Sequence, residues 1–281
     1  MTDPAALARY YDWLSRYQGL VGRMQRDVRC EAFTIHRLLT GTSGQDGVHQ
    51  RLLAALGSTP VRHAIDAGCG VGGTMFFLQE RLGGRYEGLT VSRVQQARAA
   101  REARRRGVAS VCRFHLRSYD EDLHDLAPEG TDLVVAIESL AHAPDPARTI
   151  GRLARLLRRG GRLAVVEDIP AQSLEDDDPD FAHFTRDWRC PSIARHTTLV
   201  AALVASGLTL VKDEDLTPLV DQREPARLEQ LVRLNRACRR VLAPTPARVV
   251  LDGLHGGLML ERLYRRGLMG YRLLFAERHG P

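Results

Sequence analysis

Apolar runs alternate with amphipathic segments from about residue 61 to the C-terminal part of the chain. Short apolar runs predict buried strands at 61–67, 85–91, 111–116, 131–137, 162–168, 208–216 and 268–277. Apolar residues at helical spacing predict helices at 73–83, 93–107, 146–158, 197–206, 225–241 and 247–266. Such alternation is typical of a parallel sheet covered by helices on both faces. The sequence therefore predicts an α/β fold with a doubly wound sheet of seven strands.

The N-terminal part of the chain lies outside this alternation. Residues 5–39 and 48–56 carry apolar positions at helical spacing and predict helices. We therefore expect residues 1–58 to form an N-terminal helical cap, followed by a main domain at 59–281.

Two further segments interrupt the main domain and predict lid elements, at about 171–196 and at 218–267. The first contains an acidic run at 175–178, which predicts a solvated loop, with aromatic residues behind it that suit the roof of a pocket. The second is a helical insertion before the last strand. Its glycine-rich stretch at 253–257 fits either a lid hinge or a plain turn.

Length and composition indicate a globular protein. The 281 residues suffice for one large domain, and 44% of them are hydrophobic. No apolar run approaches the ~20 residues needed to cross a bilayer. The first residues, Met1 to Pro4, lack the basic and then apolar form of a signal peptide. We therefore expect a cytoplasmic protein with no membrane partner.

Charge and cysteine usage narrow the candidate partners. The net charge is +6, although Lys212 is the only lysine. The arginines are scattered rather than interleaved with aromatic residues, so no nucleic acid is expected. Arginine pairs with phosphate in bidentate fashion, which suits an anionic small substrate. No Cys-x-x-Cys pair or spaced His/Cys/Asp/Glu cluster occurs, so no metal site is expected.

A glycine-rich loop, Asp66–Thr74, joins the first predicted strand to the next helix. Glycines let a backbone turn sharply and approach a ligand closely. The N-terminus of the following helix presents free N–H groups and a positive dipole end to that ligand. The order of strand, loop, helix and second strand therefore predicts a nucleotide-type site at the carboxyl ends of parallel strands.

Two strings of residues resemble a known family. The string Asp66-Ala67-Gly68-Cys69-Gly70, with Gly72, resembles the first motif of class I S-adenosylmethionine-dependent methyltransferases. The string Gly88-Leu89-Thr90-Val91-Ser92, with Gln95, resembles the next motif of one branch of that family. This branch holds cyclopropane-fatty-acid synthases, tocopherol-type methyltransferases and prenyl diphosphate C-methyltransferases. The resemblance implies a Rossmann-like fold, methyl transfer and S-adenosylmethionine as cofactor. A nicotinamide enzyme usually has an acid where this chain has Thr90.

The resemblance also implies which residues contact the cofactor. The Tyr-Asp pair that starts at position 11 resembles one near the start of cyclopropane-synthase-like enzymes, and 117–120 takes the place of the adenine-contacting motif. The implied cofactor-binding residues are Tyr11, Asp66, Gly68, Gly70, Thr90, Ser92, Gln95, Ser118 and Tyr119.

Two candidate catalytic residues follow the fourth predicted strand. Glu138 and His142 stand at its carboxyl end, at the mouth of the expected site. In prenyl diphosphate C-methyltransferases a glutamate at this point is the proposed base. In tocopherol-like enzymes the same stretch reads Glu-x-x-x-His-x-x-Asp, which this chain also fits. Both assignments stay open at this stage.

Two main hypotheses concern the class of substrate. The first is C-methylation of an alkene of an isoprenoid, such as isopentenyl or geranyl diphosphate, with Glu138 as the base and magnesium carried by the diphosphate. The alternative is O-, N- or C-methylation of an aromatic or sterol-like natural product, with His142 as the base. A lipid cyclopropane synthase and a non-enzymatic sensor of S-adenosylmethionine are weaker alternatives.

The partner of the protein is expected to be a small molecule in either case. The expected substrate-binding residues are His36, Arg37, Trp188, Arg189 and Arg195. The oligomeric state stays open, with a homodimer as one option.

Overall fold

A seven-stranded mixed sheet with flanking helices forms the centre of the molecule. The computed structural model describes residues 4–24, 37–41, 46–243, 245 and 247–279. The strands are β1 (His63–Ala67), β2 (Arg85–Thr90), β3 (Cys112–Leu116), β4 (Thr131–Ile137), β5 (Leu157–Pro170), β6 (Leu208–Asp215) and β7 (Met269–Arg278). The helices are α1 (Pro4–Met24), α2 (Gly47–Leu56), α3 (Gly73–Leu82), α4 (Arg93–Arg105), α5 (Pro146–Leu156), α6 (Pro179–Trp188), α7 (His196–Ala205), α8 (Pro225–Val241) and α9 (Ala247–Arg265). The predicted α/β fold of seven strands with an N-terminal helix is confirmed.

The strand order is β3-β2-β1-β4-β5-β7-β6. Strands β1 to β5 pair in parallel, whereas β7 runs antiparallel to both β5 and β6. The parallel pairing predicted from the alternation is found from β1 to β5, and the antiparallel direction of β7 follows from its connection. A helix that covers a sheet reverses the chain direction, and two long helices rather than one join β6 to β7. The chain consequently enters β7 from the carboxyl edge of the sheet.

Alternate residues along the central strands feed two separate cores. Ala64 of β1 and Leu133 of β4 pack on one face, together with side chains of α2, α3, α4 and α9. Their neighbours Ile65 and Val134 pack on the other face, with side chains of α5 and α7. Both faces of the sheet are therefore buried, which explains why the strands are continuous apolar runs in the sequence.

The acidic run lies in a loop, as predicted, with residues 175–177 exposed, but helix α6 directly after it was missed by the sequence analysis. Asp178 caps the helix by accepting hydrogen bonds from the backbone N–H groups of the second and third residues after it, and a proline takes the first helical position. The same Asp178 carboxylate pairs with Arg266. Phe181, Phe184 and Trp188 recur at helical spacing, a signal that the sequence did contain.

Helix α9 is continuous through the glycine-rich stretch that suggested a hinge or a turn. Its glycines seat Trp188 of α6, whose indole Nε1–H donates to the carbonyl oxygen of Gly253 at 2.7 Å. A Cβ at Gly256 would lie 2.3 Å from Cδ1 of that indole, whereas a Cβ at Gly257 would lie 3.5 Å from its Cζ2. The contact between α6 and α9 therefore requires glycine at position 256.

The two adjacent glycines give a matched test of this contact. We expect Gly256→Ala to lower the free energy of unfolding by roughly 1–3 kcal/mol, because the added methyl group overpacks Trp188. Gly257→Ala should be neutral or stabilising by up to about 1 kcal/mol, since alanine favours a helix and its methyl group makes an ordinary contact. Denaturant unfolding of both variants measures the difference. Equal stabilities would contradict the packing described here.

Candidate active site

A cavity of about 260 Å³ lies at the carboxyl ends of β1, β2, β4 and β5. The glycine-rich loop, the strand ends, α1 and the C-terminal end of α6 contribute to its lining. Ligands of doubly wound folds bind at this edge of the sheet. Eight of the nine expected cofactor-binding residues line it, together with both candidate bases: Tyr11, Asp66, Gly68, Gly70, Thr90, Gln95, Ser118, Tyr119, Glu138 and His142.

The glycine-rich loop forms one wall of the cavity. Gly68 and Gly70 have φ angles of +104° and +54°, a region of backbone conformation that favours glycine. A Cβ at Gly68 would lie 2.5 Å from Cβ of Ser139, so the loop and the end of β4 are in close contact. A Cβ at Gly70 would meet no atom within 4 Å. The backbone of Gly70 therefore faces open space in the cavity, where a ligand can approach it closely.

Two buried polar atoms beside this loop have no hydrogen-bond partner among the residues that the structure describes. They are Oδ2 of Asp66 and Oγ of Ser139. Burial raises the pKa of Asp66 to about 7. Buried polar groups in proteins are nearly always paired, so unpaired ones at a cavity indicate atoms that a ligand satisfies.

The end of β2 carries a small hydrogen-bonded cluster. The hydroxyl of Thr90 donates to Oε1 of Gln95 at 2.8 Å, and both side chains line the cavity. Ser92 does not line it. Its hydroxyl caps α4 by accepting from the backbone N–H of Gln95, and it donates to the carboxylate of Asp12 at 2.5 Å. The structure thus gives Ser92 a place in the attachment of α1 rather than in the cavity wall.

The far end of the cavity is formed by the segment after β3. The hydroxyl of Tyr119 donates to the carbonyl oxygen of Ser139 at 2.8 Å, which holds the ring against the end of β4. Ser118 is used within its own turn, since its Oγ accepts from the backbone N–H of Asp120 and its backbone N–H donates to Glu121. The ring of Tyr119 and the turn at Ser118 both line this part of the cavity, which we call the slot.

Helix α1 covers the cavity. Leu7, Tyr10, Tyr11 and Leu14 line it from this helix. The carboxylate of Asp12 attaches the helix to the N-terminal end of α4, where it also accepts from the backbone N–H of Val94 at 3.2 Å. The prediction that an N-terminal tyrosine reaches the cavity therefore agrees with the position of Tyr11.

His142 is half-buried at the cavity wall, with both ring nitrogens engaged. Its Nδ1 lies 3.2 Å from the carbonyl oxygen of Arg189, and its Nε2 lies 2.5 Å from the hydroxyl of Tyr11. Because a carbonyl can only accept, Nδ1 carries the proton and Nε2 carries the lone pair. Burial lowers the pKa of His142, which favours this neutral form.

Glu138 begins the loop after β4 with an unusual backbone. Its φ is +50°, in the left-handed region that non-glycine residues rarely adopt. Its carboxylate accepts two hydrogen bonds at Oε1, from the backbone N–H of Arg37 and from the hydroxyl of Tyr271, each at 2.8 Å. Burial raises the pKa of Glu138, against the opposing charge of Arg37. The side chain is therefore held firmly beside the cavity.

Asp168, at the end of β5, was not singled out by the sequence analysis. Its carboxylate forms a bidentate pair with the guanidinium of Arg37, with distances of 3.0 and 2.6 Å, and accepts from the hydroxyl of Tyr264. It lines the cavity beside Glu167. An acid at the carboxyl end of a parallel strand was a signal that could have identified it.

The three expected substrate arginines, Arg37, Arg189 and Arg195, are not among the residues that line the cavity. Arg37 is committed to Asp168 and lies over the ring of Trp188 at 5.1 Å. Arg195 binds the carbonyl oxygens of Ala171 and Leu174, so it braces the loop before α6. The part of Arg189 that contacts a candidate base is its backbone carbonyl, which lies beside His142.

Two further predictions meet different outcomes. Trp188 does line the cavity, together with Phe184 and Cys190 of the same segment. His36 lies outside the described residues. The expected second lid element at 218–267 does not line the cavity with any described residue. Its helix α9 instead supports α6 from behind, through the seat of Trp188.

One group of metal-ligating side chains comes together away from the cavity, although the sequence predicted none. His183 and Asp187 of α6 approach His255 of α9, with ligand atoms within 4.8 Å of one another. Arginines already hold these atoms. Arg186 donates to Nδ1 of His183 and to Asp187, and Arg239 lies 3.3 Å from Asp187. Neighbouring positive charges oppose a cation, so the group acts as a polar contact between α6, α8 and α9.

Comparison with known proteins agrees with this geometry. The family described as "Methyltransferase domain" matches residues 65–163. Methyltransferase GfsG of Streptomyces halstedii is 34% identical over 113 residues, which is 40% of this chain and 40% of that protein. An O-methyltransferase of Pyrenophora dematioidea is 27% identical over 236 residues, 81% of this chain and 79% of that protein.

The fold is shared with a solved structure of geranyl diphosphate methyltransferase. That structure superposes with a TM-score of 0.72 at 20% identity, over 98% of this chain and 99% of the other. The alignments to the first curated relatives, by contrast, span 40%, 39% and 30% of those proteins' own lengths.

The cavity at the strand ends and the matched domain both point to methyltransferases. Residues 65–163 match the methyltransferase domain family, and the chain shares the fold of a solved methyltransferase, in agreement with the motifs. No helix in the described part of the chain is both long and apolar enough to cross a membrane.

The residues present fit S-adenosylmethionine. The open backbone at Gly70, the unpaired oxygens of Asp66 and Ser139 and the slot at Tyr119 provide a close approach, acceptors and a flat surface. Helix α3 begins at the same loop, and no described side chain caps its N-terminus, the end of a helix that favours an anionic group. These groups would hold the cofactor.

Gly70→Val tests the placement of the cofactor. The branched side chain would fill the open space beside the loop, and we expect binding of S-adenosylmethionine to be lost. Gly57→Val is the matched control, because Gly57 has a φ of +59°, meets no atom within 4 Å and does not line the cavity. Calorimetry on both folded variants distinguishes a blocked site from backbone strain. Unchanged affinity in Gly70→Val would refute the placement.

Asp66 should make the stability of the ligand-free protein depend on pH. The folded pKa, about 7, lies above the ordinary aspartate value of about 3.9. Its contribution is therefore fully present below pH 4 and is lost as pH rises through 7. We expect Asp66→Asn to flatten the fall in unfolding free energy between pH 5 and pH 8, measured by urea unfolding. Asp132→Asn is the control, because hydrogen bonds and Arg158 outweigh burial and lower the pKa of Asp132. Its removal should change the pH dependence only below about pH 4 and leave the slope between pH 5 and pH 8 unchanged. An unchanged slope in Asp66→Asn would contradict the assignment.

Proposed function

We propose that the protein transfers a methyl group from S-adenosylmethionine to a hydroxyl group of an apolar natural product, with His142 as the general base. The cofactor supplies an electrophilic methyl group. The observation that carries the proposal is the position of His142 Nε2, which lies at the cavity and already accepts a hydrogen bond from a hydroxyl group, that of Tyr11, at 2.5 Å. An acceptor hydroxyl that took the place of Tyr11 would meet the same lone pair.

The protonation state of His142 suits this role. An O–H acceptor must lose its proton as its oxygen is methylated, and a neutral imidazole can take that proton at Nε2. The hydrogen bond from Nδ1 to a carbonyl keeps the lone pair on Nε2, and burial keeps the ring neutral near pH 7.

The lining of the cavity supports an apolar and uncharged acceptor. Leu7, Tyr10, Leu14, Phe184 and Trp188 cover the side beside α1 and α6. Of the described residues that line the cavity, Arg117 is the only arginine, and it is paired with Asp125 beyond the slot. A diphosphate would need free cationic partners, and Arg37 and Arg195 are bound elsewhere.

A second candidate function is C-methylation of an isoprenoid alkene, such as isopentenyl or geranyl diphosphate, with Glu138 as the base. It is favoured by the carboxylate of Glu138 at the cavity and by the aromatic rings around it. An alkene attacks the methyl group with its π electrons and leaves a carbocation. A carboxylate and π faces can stabilise that cation, and the carboxylate can then remove the adjacent proton. A diphosphate substrate would bring its own magnesium.

The contacts of Glu138 weigh against this second candidate. Oε1 already accepts from Arg37 and Tyr271, so the carboxylate links the N-terminal segment to the sheet. A group that holds the structure together in this way has less freedom to exchange protons with a substrate. The lid role predicted for the N-terminal cap is carried in this proposal by α1, and that predicted for 171–196 by α6.

Two variants decide between the candidates. For an O–H acceptor, we expect His142→Ala to lower kcat by roughly 10²–10⁴, the range of a general base, and Glu138→Gln to keep most of the activity. For an alkene acceptor the order should be reversed. Labelled S-adenosylmethionine with a panel of phenols, sterols, isoprenoid alcohols and isoprenyl diphosphates measures both.

Calorimetry with S-adenosylmethionine is the control, since each variant should bind it within a few fold of the unmodified protein. Near-normal turnover of His142→Ala on a hydroxyl acceptor would overturn the proposal. A requirement for magnesium that is confined to diphosphates would instead support the second candidate.

A further inference from the structure

Helix α6 ends in a left-handed turn at Arg189. The residue has a φ of +60° and a ψ of +41°, a conformation that glycine and asparagine adopt far more readily than other residues. The turn closes with the backbone N–H of Cys190 donating to the carbonyl oxygen of Thr185 at 2.8 Å. Helices often end with such a turn, but its usual residue is glycine. An arginine in this conformation therefore calls for an explanation.

We propose that Arg189 is a positioning residue whose backbone carbonyl, aimed by this left-handed turn, fixes the tautomer of His142. The inference rests on the proposed role of His142 as the base. Because the carbonyl oxygen lies 3.2 Å from Nδ1 and can only accept, the proton stays on Nδ1 and the lone pair of Nε2 faces the cavity. An extended backbone at position 189 would turn the carbonyl away and release the ring.

The carbonyl is held in place from behind. Trp188, the preceding residue, is fixed to α9 by its hydrogen bond to Gly253 and by its contact with Gly256. Its ring also lies under the guanidinium of Arg37 at 5.1 Å. The next residue, Cys190, is buried beside His142, with Sγ 3.9 Å from Nδ1. The residues on both sides of Arg189 are thus anchored, so the direction of its carbonyl is set by the turn.

The proposal separates the backbone of Arg189 from its side chain. The guanidinium does not line the cavity. If only the left-handed backbone matters, any residue that tolerates it should serve. If the guanidinium binds a substrate, as the sequence first suggested, every replacement should weaken substrate binding.

Arg189→Asn and Arg189→Val form a matched pair for the test. Both remove the charge, but asparagine tolerates the left-handed conformation and the β-branched valine does not. In protein labelled with ¹⁵N-histidine, we expect His142 of the unmodified protein and of Arg189→Asn to show a protonated Nδ1. In Arg189→Val the two tautomers should be mixed. The hydrogen bond that Nδ1 donates to the carbonyl raises the pKa of His142, so the same spectra should show that pKa falling further in Arg189→Val.

Activity on the hydroxyl acceptors of the panel gives the second readout. We expect Arg189→Asn to stay within about twofold of the unmodified protein, and Arg189→Val to lose kcat roughly 10–100-fold, the effect typical of removing a group that orients a functional histidine. The acid limb of the kcat/KM profile should move to lower pH in Arg189→Val. Arg189→Ala, with an intermediate tolerance, replaces Arg189→Val if that variant does not fold.

The outcomes separate this inference from the proposed function. An unchanged tautomer and pH profile in Arg189→Val would overturn the positioning role. Equal losses in Arg189→Asn and Arg189→Val, mainly as a raised KM, would overturn it in favour of a substrate-binding guanidinium. A changed tautomer with an unchanged rate of methyl transfer would uphold the positioning role and refute His142 as the base.

Discussion

The ion pair between Arg37 and Asp168 is the interaction on which the site depends. Glu138, Glu167 and Asp168 bring three carboxyl groups to the ends of β4 and β5, and burial raises the pKa of the first two, that of Glu167 to about 8. Arg37 supplies the compensating charge through its bidentate pair with Asp168. Removing one partner of such a pair leaves an unpaired charge in the interior, at a cost of about 3–5 kcal/mol. Arg37 therefore compensates the charge of Asp168 and opposes the rise in the pKa of Glu138.

Arg37 also connects the N-terminal segment to the rest of the fold. Residues 37–41 lie along 219–221, with a bridge between Leu39 and Val220, and the backbone N–H of Arg37 donates to Glu138. One residue thus joins the N-terminal segment, both strand ends and, through its stacking, Trp188 of α6. The charge that stabilises the acids also fixes the position of α6 relative to His142.

The sequence predicted the parts of the molecule that depend on local pattern. The five strands from β1 to β5 and the loop at Gly68 and Gly70 were found because buried strands and close turns leave a direct trace in residue type. The direction of β7 was not, since it depends on the number of helices between two strands rather than on the strand itself. Helix α6 was hidden by an acidic run whose Asp178 is a helix cap rather than a solvated charge.

The roles of the arginines could not be predicted in the same way. Arg37 and Asp168 are 131 positions apart, and no local signal tells which of many arginines finds a buried acid. His142 and Glu138 were identified by their place after a strand, but the choice between them rests on contacts with Tyr11, Arg189 and Tyr271, which come from three distant parts of the chain. The position of a residue at a strand end can be read from the local sequence, whereas the protonation and hydrogen bonding of a base depend on distant residues.

The contact between Trp188 and Gly256 limits which substitutions these two positions can accept during evolution. The indole fills the space that any side chain at 256 would need, so the two positions cannot vary independently. A larger residue at 256 becomes acceptable only after 188 has become smaller. That exchange would also remove the ring beneath Arg37 and loosen the turn that faces His142. Substitutions at these two sites should therefore appear together among descendants, and their arrival should mark a change in the chemistry of the pocket.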